Sequence, residues 1–213
     1  TRAFRWHTGD IERVQWHNSD RPLAYDLSPY EETLLIDVDY LTFNSQLKDY
    51  FGGNQEFLCY DRVWDVTHTD SMKNDATMTL AGHPMLWATV VYFRKCELAH
   101  RIFEMMKNIQ TTWYYQSKFW GFSSRNYRND FSLTLAHQLM QGYQQGTTFN
   151  HALPSLSTMD TIYKVKDSEL LIKYMYNGSD NAVRIKDTNL HVMNKACLMD
   201  PEIRGELERY ANV

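Results

Sequence analysis

Apolar runs alternate with polar segments along the chain and predict a fold that mixes helices and strands. Thr33–Asp37 and Met85–Phe93 are nearly unbroken runs of aliphatic, β-branched and aromatic residues, a pattern typical of strands buried on both faces of a parallel sheet. Asn177-Gly178, between two further candidate strands, is a dipeptide typical of tight hairpin turns. The remaining predicted strands are Glu56–Tyr60, Thr161–Val165, Leu170–Tyr176, Ala182–Lys186 and Leu190–Met193.

Helical periodicity is clearest in Arg94–Gln110, where Leu98, Ile102, Met105 and Ile109 recur at helical spacing and predict one apolar face. The other predicted helical segments are Arg21–Leu27, a short one from Asn44-Ser45 to Phe51, one from Asn129 or Asp130 to Gln141, and Glu202–Tyr210 after Pro201. The chain contains no internal repeat and no clear linker. We therefore expect a single α/β domain over residues 1–213, with a mixed, mostly parallel central sheet flanked by helices.

Two carboxylates stand at the end of the first apolar run. Asp37 and Asp39 are two positions apart, so their side chains point the same way in an extended chain. Open α/β sheets bind ligands at the carboxyl ends of their strands. A hard cation such as Mn²⁺ or Mg²⁺ takes oxygen ligands there and shares them with substrate phosphates. The alternative is that one Asp caps the strand and the other is solvated.

The segment Ser28-Pro29-Tyr30, followed by Thr33–Leu41, resembles the DxD-bearing segment of GT-A-type glycosyltransferases. In that family the paired acids hold Mn²⁺ or Mg²⁺ against the diphosphate of a nucleotide-sugar. Met85–Phe93 is similar to the next long core strand of the family. The resemblance thus implies that Asp37 and Asp39 bind the metal and the donor.

Two later segments extend the resemblance. Arg128-Asn129-Asp130 looks like the acidic loop-to-helix motif whose carboxylate, here Asp130, faces the donor sugar or the acceptor hydroxyl. In Leu190–Lys195, which is similar to a late segment of the family, His191 would complete the metal shell and Lys195 would reach the diphosphate. Each residue also has a plainer interpretation: a helix N-cap for Asp130, a hydrogen-bonded strand histidine for His191 and a surface lysine for Lys195.

The resemblance implies a metal-dependent enzyme that moves a sugar from a nucleotide-sugar donor to an acceptor hydroxyl. Thirty-six residues precede Asp37 and do not have the pattern of a βαβ unit, so the N-terminal nucleotide-binding part is expected to be short or missing. Two other classes remain open. One is a non-catalytic binding module of transferase-like fold, and the other is a nucleotidyltransferase or phosphohydrolase that uses the same paired acids.

The segment from Trp113 to Arg128 is rich in aromatic residues, with Lys and Arg interleaved among them. This segment could be an acceptor platform whose rings stack on sugars or flipped bases, a partner interface, or ordinary loop packing. The first interpretation suits a bacteriophage-type transferase that modifies hydroxymethylated DNA bases. The acceptor is therefore expected to be a carbohydrate or such a base.

The charge and composition of the chain bear on nucleic-acid binding and on the compartment of the protein. A net charge of −4 argues against general nucleic-acid binding by a strongly basic surface, although a local basic groove remains compatible with it. Three cysteines favour a reducing compartment, and no apolar run approaches the roughly 20 residues that span a bilayer, so we expect a cytoplasmic protein.

The polar stretch from Asp61 to Pro84 is predicted to be a long loop. A separate metal site there, built from residues such as His68, His83, Asp61, Asp65, Asp70 and Asp75, matches no tight ligand spacing, and solvated loop residues are the favoured interpretation.

Overall fold

The structure is a computed structural model that describes residues 4–6, 13–15, 18–69, 77–122, 126–141 and 147–211. Its strands are β1 (Phe4–Trp6), β2 (Arg13–Gln15), β3 (Glu32–Ile36), β4 (Tyr40–Leu41), β5 (Phe57–Tyr60), β6 (Val63–Asp65), β7 (Trp87–Arg94), β8 (Leu153–Leu156), β9 (Thr161–Lys166), β10 (Glu169–Tyr176), β11 (Ser179–Lys186) and β12 (Leu190–Val192). Its α-helices are α1 (Ala24–Leu27), α2 (Glu97–Thr111), α3 (Trp113–Phe119), α4 (Asn129–Met140), α5 (Lys195–Leu198) and α6 (Pro201–Ala211). Short 3-10 helices cover Arg21–Leu23 and Gln46–Tyr50. The predicted mixed α/β class is confirmed.

The backbone contacts divide the chain into two compact units. Unit 1 comprises Thr1–Leu35, Asn54–Asp61 and Asp75–Asn150, and unit 2 comprises Ile36–Gly53, Arg62–Asn74 and His151–Val213. A single domain over residues 1–213 stays a prediction. Within the described ranges, no helix is both long enough and apolar enough to cross a membrane.

In unit 1, the strand order is β3-β7-β5, and β7 is the buried centre of that sheet. The β-branched and aromatic residues that predicted this strand suit a pleated surface covered on both sides. Helices α2 and α4 pack against each other, and α4 also contacts β7. The largest fully buried side chains of this core include Phe57, Tyr92, Phe93 and Phe103.

The buried face of α2 differs from the predicted one. The helix begins at Glu97, because Cys96 is its N-cap and accepts a hydrogen bond from the backbone N–H of Ala99 through Sγ. Its buried residues are Ala99, Ile102, Phe103, Met106 and Ile109. Leu98 and Met105, which were assigned to the core, are only half-buried and pack at its edge. The prediction is therefore confirmed for Ile102 and Ile109 and wrong for Leu98 and Met105.

The strand that precedes the paired acids is not buried on both faces, so that prediction is wrong. All five residues of β3 are half-buried, since β3 is an outer strand of its three-stranded sheet. Polar contacts hold its first residue. Tyr92 Oη donates to Glu32 Oε1 at 2.7 Å, and Arg94 Nη2 pairs with the same oxygen at 2.7 Å.

Helix α4 carries a buried histidine whose ring is predicted to respond to acid. His137 is 2% exposed, and burial lowers its pKa to about 4. Its Nε2 lies 2.5 Å from Thr147 Oγ1, whereas its buried Nδ1 has no hydrogen-bond partner among the described residues. The folded protein therefore favours the neutral ring.

We expect the free energy of unfolding to fall as the pH drops from about 6.5 towards 4, by roughly 3 kcal/mol in total. The folded pKa lies below the unfolded value, so this stabilisation is complete above pH 6.5 and is lost on acidification. Urea unfolding at pH 7 and pH 4.5 measures the loss. His137→Gln should flatten this dependence, whereas His100→Gln, at an exposed position of α2, should leave it unchanged. An equal acid slope in wild type and His137→Gln would contradict the assignment.

Unit 2 contains a mixed sheet and an antiparallel sheet. In the mixed sheet the order is β4-β12-β8-β6, where β8 runs parallel to both β12 and β6 and β4 is antiparallel to β12. The other sheet is the meander β9-β10-β11. The predicted hairpin is confirmed, since Asn177 and Gly178 connect β10 and β11 with φ angles of 50° and 76°, both in the left-handed region. The unit has its own core, which includes Leu156, Ile172 and Ile203.

Candidate metal site

The two paired acids lie in a turn between β3 and β4. The backbone N–H of Tyr40 donates to the carbonyl of Asp37 at 3.1 Å, and the intervening Val38 is 99% exposed. The extended conformation expected at this point is wrong, because the strand ends at Ile36. The turn still brings both carboxylates to the same place.

The pairing of β4 with β12 places this turn at one end of the mixed sheet. β4 pairs with β12 through Tyr40 opposite His191, and Val192 N donates to the carbonyl of Asp39 at 2.8 Å. The parallel strands β8 and β12 end side by side at Leu156 and Val192, which pair with each other, and Val192 is the residue bonded to Asp39. The acids thus meet the carboxyl ends of parallel strands, as expected for a ligand site, although they come from the antiparallel neighbour of those strands.

Asp37, Asp39 and His191 form one group of potential metal ligands. One ligand atom from each residue lies within 4.8 Å of those of the other two. His191 Nε2 is 3.8 Å from Asp39 Oδ1, and the two side chains are 10% and 6% exposed. The two carboxylates suit Mn²⁺ or Mg²⁺, and the imidazole, a ligand more typical of transition-metal ions, favours Mn²⁺ of the two.

The environment of Asp39 Oδ1 supports metal binding by these three residues. The atom is buried and accepts no hydrogen bond from the described residues. A buried carboxylate oxygen without a partner costs free energy. A cation bound between the three side chains would satisfy it.

A serine lies behind the histidine. Ser155 Oγ of β8 is 3.5 Å from His191 Nδ1, and Ser155 is fully buried. Metal-binding histidines commonly use their second ring nitrogen in this way to fix the tautomer and the ring orientation. When Nδ1 donates to Ser155, Nε2 is the unprotonated nitrogen, and it lies on the side of Asp39. The sequence did not predict this residue, which falls in a segment assigned to a loop.

Lys195 also belongs to this site. Its Nζ is 2.8 Å from Asp39 Oδ2, and its side chain is 70% exposed. The ammonium group therefore balances part of the acidic charge while remaining accessible to solvent. An anionic ligand bound beside Asp39 would meet this cation.

Asp130 lies in unit 1, in the first turn of α4. It is not the N-cap, a position that Arg128 occupies. Its Oδ1 accepts from the backbone N–H of Ala88 at 2.9 Å, and its Oδ2 pairs with Arg128 Nη2 at 2.8 Å. These contacts join α4 to β7, and a catalytic role for Asp130 stays a prediction.

The alternative metal site between residues 61 and 84 does not form in the part of the chain that the structure describes. Asp37, Asp39 and His191 are the one group of three potential ligands found there. His83 hydrogen-bonds to Thr79 in unit 1, and burial lowers its pKa. Asp70 and Asp75 lie outside the described residues.

The aromatic and basic segment that begins at Trp113 is partly core. Trp113 is buried, whereas Tyr114, Tyr115 and Phe119 on α3 are exposed. Its residues 123–125 lie outside the described ranges. Sugar or base stacking by this segment stays a prediction.

A buried asparagine holds the two segments that carry the site. Asn189, just before β12, accepts from Phe43 N at 2.7 Å and from Asn44 N at 3.0 Å through Oδ1. Its Nδ2 donates to Asn44 Oδ1 at 2.7 Å, and the residue is 4% exposed. These bonds join the segment that follows β4 to the segment that precedes β12.

Asn189→Leu is expected to lower the free energy of unfolding by about 3 kcal/mol, because each buried donor that loses its partner costs about 1–3 kcal/mol. Urea unfolding measures the change. Asn181→Leu, on the half-exposed surface of β11, is the matched control and should change stability by less than about 0.5 kcal/mol. Equal effects of the two substitutions would show that Asn189 does not hold these segments together.

Comparison of the chain with protein families, curated proteins and solved structures finds no match.

Proposed function

We propose that the protein is a metal-dependent glycosyltransferase that moves a sugar from a nucleotide-sugar to an acceptor hydroxyl. The observation that carries the proposal is the group Asp37, Asp39 and His191, with Lys195 bonded to Asp39. Its order along the chain, a DxD turn followed much later by His-x-x-x-Lys, is the order that resembles GT-A enzymes. We propose a GT-A-like fold on the same grounds.

The chemistry of the reaction accounts for these residue types. Transfer breaks the bond between the sugar and the diphosphate and leaves additional negative charge on the nucleoside diphosphate. Asp37, Asp39 and His191 would hold Mn²⁺ or Mg²⁺, which supplies positive charge for those phosphate oxygens. Lys195 carries a second positive charge, and its exposed ammonium group can move from Asp39 to a phosphate oxygen.

Proton removal from the acceptor hydroxyl requires a base, and the resemblance assigns this role, or that of positioning the sugar, to Asp130. Asp130→Asn keeps an acceptor for the N–H of Ala88, so unit 1 should stay folded. With that substitution we expect transfer to the acceptor to fall at least about 100-fold, as measured by glycosylated product. Unchanged transfer would leave Asp130 with only its structural contacts.

A thermal-shift screen of UDP-, GDP- and other nucleotide-sugars, each with and without Mn²⁺, tests the proposal. A ligand that binds only the folded protein at a hundred times its Kd adds about 2.7 kcal/mol of stability. We expect one donor to raise the melting temperature, and only when Mn²⁺ is present. An equal rise without Mn²⁺ would count against the metal site.

The products of donor turnover separate the other two classes. A transferase releases a nucleoside diphosphate, with the sugar passing to the acceptor or slowly to water. A nucleotidyltransferase acting on a nucleoside triphosphate releases pyrophosphate, and a non-catalytic module releases neither. Pyrophosphate release, or no turnover with any donor, would therefore replace the proposed function.

A further inference from the structure

The outward side of the antiparallel sheet β9-β10-β11 is strongly basic. Alternate residues of β10 face opposite sides, so Leu170 and Ile172 are buried in the core of unit 2 while Lys173 is exposed. The exposed cations of this sheet form what we call the basic face: Lys164, Lys166, Lys173, Arg184 and Lys186.

Strand register arranges four of these cations in two rows. Lys166 and Lys186 both pair with Glu169, and Lys164 and Arg184 both pair with Leu171. The cations of each row therefore flank the central strand about 10 Å apart, and the rows are about 7 Å apart along the strands. The sheet thus presents a regular rectangle of positive charge.

A groove of about 540 Å³ lies over these rows. It is lined by the four cations and by Asp167, Ser168, Glu169 and Leu171. The four cations outnumber the two acids, so the lining of the groove has a net positive charge. An ion pair between Arg184 and Glu169 is 3.4 Å long and solvent-exposed, so it holds the guanidinium only weakly.

The aromatic ring of Tyr163 on β9 lies on the same face, beside Lys173. Tyr163 occupies an irregularity in the pairing of β9 with β10 and is 56% exposed. Lys173 Nζ lies 3.4 Å from the centre of its ring. Proteins that bind single-stranded nucleic acid combine such rings, on which bases stack, with a positively charged groove for the backbone.

We propose that the basic face binds the phosphate backbone of a single-stranded nucleic acid, with a base stacked on Tyr163. The charge pattern favours this occupant over an uncharged partner, because the whole chain carries a net charge of −4 and yet concentrates cations here. Nucleic-acid binding by the basic face does not depend on glycosyl transfer, so one activity can be absent while the other is present.

Fluorescence anisotropy with a labelled oligothymidine of about 15 nucleotides, over a series of salt concentrations, tests the proposal. Lys164→Glu/Lys186→Glu is expected to weaken binding at least tenfold. Removing two phosphate contacts should also reduce the slope of log affinity against log salt by about 1.4. Tyr163→Ala should weaken binding at least about fivefold.

Arg204→Glu/Arg209→Glu on α6 is the matched control, since it makes the same charge change on exposed arginines of unit 2. It should bind like the wild type. Lys164→Gln/Lys186→Gln provides a second test if the charge reversal prevents folding. No binding at 50 mM salt, equal losses in both double variants, or equal competition by duplex DNA or dextran sulfate would overturn the proposal.

Discussion

Asp39→Asn is expected to abolish Mn²⁺-dependent transfer without unfolding the protein. The substitution removes the charge of a carboxylate that contacts both His191 and Lys195. Loss of a residue that only hydrogen-bonds to a metal ligand weakens metal binding by 10- to 100-fold. We therefore expect the loss of a direct ligand to weaken Mn²⁺ binding at least about 100-fold. Calorimetric titration with Mn²⁺ measures that affinity. The thermal midpoint should stay nearly unchanged, since Asp39 Oδ1 accepts no hydrogen bond from the described residues and the Lys195 ammonium group that Oδ2 contacts is exposed to solvent.

Asp49→Asn is the matched control for this substitution. Asp49 lies in the 3-10 helix Gln46–Tyr50 of unit 2, is exposed, and belongs to no group of potential ligands among the described residues. It loses the same charge and should keep the Mn²⁺ affinity and the activity of the wild type. Full Mn²⁺ affinity in Asp39→Asn would contradict the metal assignment, and a large drop in its thermal midpoint would indicate a structural role instead.

Phe103→Ala is expected to lower the free energy of unfolding by about 3–5 kcal/mol, as measured by urea denaturation. Phe103 on α2 is 2% exposed. Its ring packs edge-on against Phe93 and Phe57, with ring centres 4.9 Å and 6.2 Å away. Removing the ring leaves a cavity that the surrounding strands β5 and β7 cannot close.

Leu98→Ala is the control that separates the two possible faces of α2. Periodicity placed Leu98 in the core, whereas in the structure it is half-buried at the edge of that core. We expect it to cost less than about 1.5 kcal/mol. A larger loss from Leu98→Ala than from Phe103→Ala would show that the predicted face is the correct one.

This helix illustrates what the sequence pattern determines. Its existence follows from apolar spacing, but two overlapping stripes fit the same residues, and only packing against β7 and α4 selects the one that contains Phe103. The hairpin at Asn177-Gly178 was predictable, because its turn depends on local backbone preferences. Local rules thus predicted this helix and this hairpin, and tertiary contacts decided which face of the helix is buried.

Strands that contradict local propensity were missed. β8 contains Pro154, which cannot donate a hydrogen bond to a neighbouring strand, and the segment was therefore assigned to a loop. β8 nevertheless lies between β6 and β12 and pairs in parallel with both. Because Ser155 is on this strand, its contact with His191 could not be predicted either.

The candidate site was partly predictable. The spacing of Asp37 and Asp39 at the end of an apolar run predicts a site there, and the resemblance adds His191 and Lys195. The structure brings the four side chains together. The reasoning about Asp37 and Asp39 assumed an extended strand, and a turn produces the approach instead. The contacts of Asn189 with Phe43 and Asn44 join distant parts of the chain, which sequence spacing does not reveal.

The most direct test of the proposed function is the release of nucleoside diphosphate from a panel of nucleotide-sugars by the purified chain, with Mn²⁺ and with EDTA. We expect release from one donor with Mn²⁺, none with EDTA, full activity in Asp49→Asn and none in Asp39→Asn. Equal release with EDTA, or full activity in Asp39→Asn, would contradict a transferase whose metal is held by Asp37, Asp39 and His191.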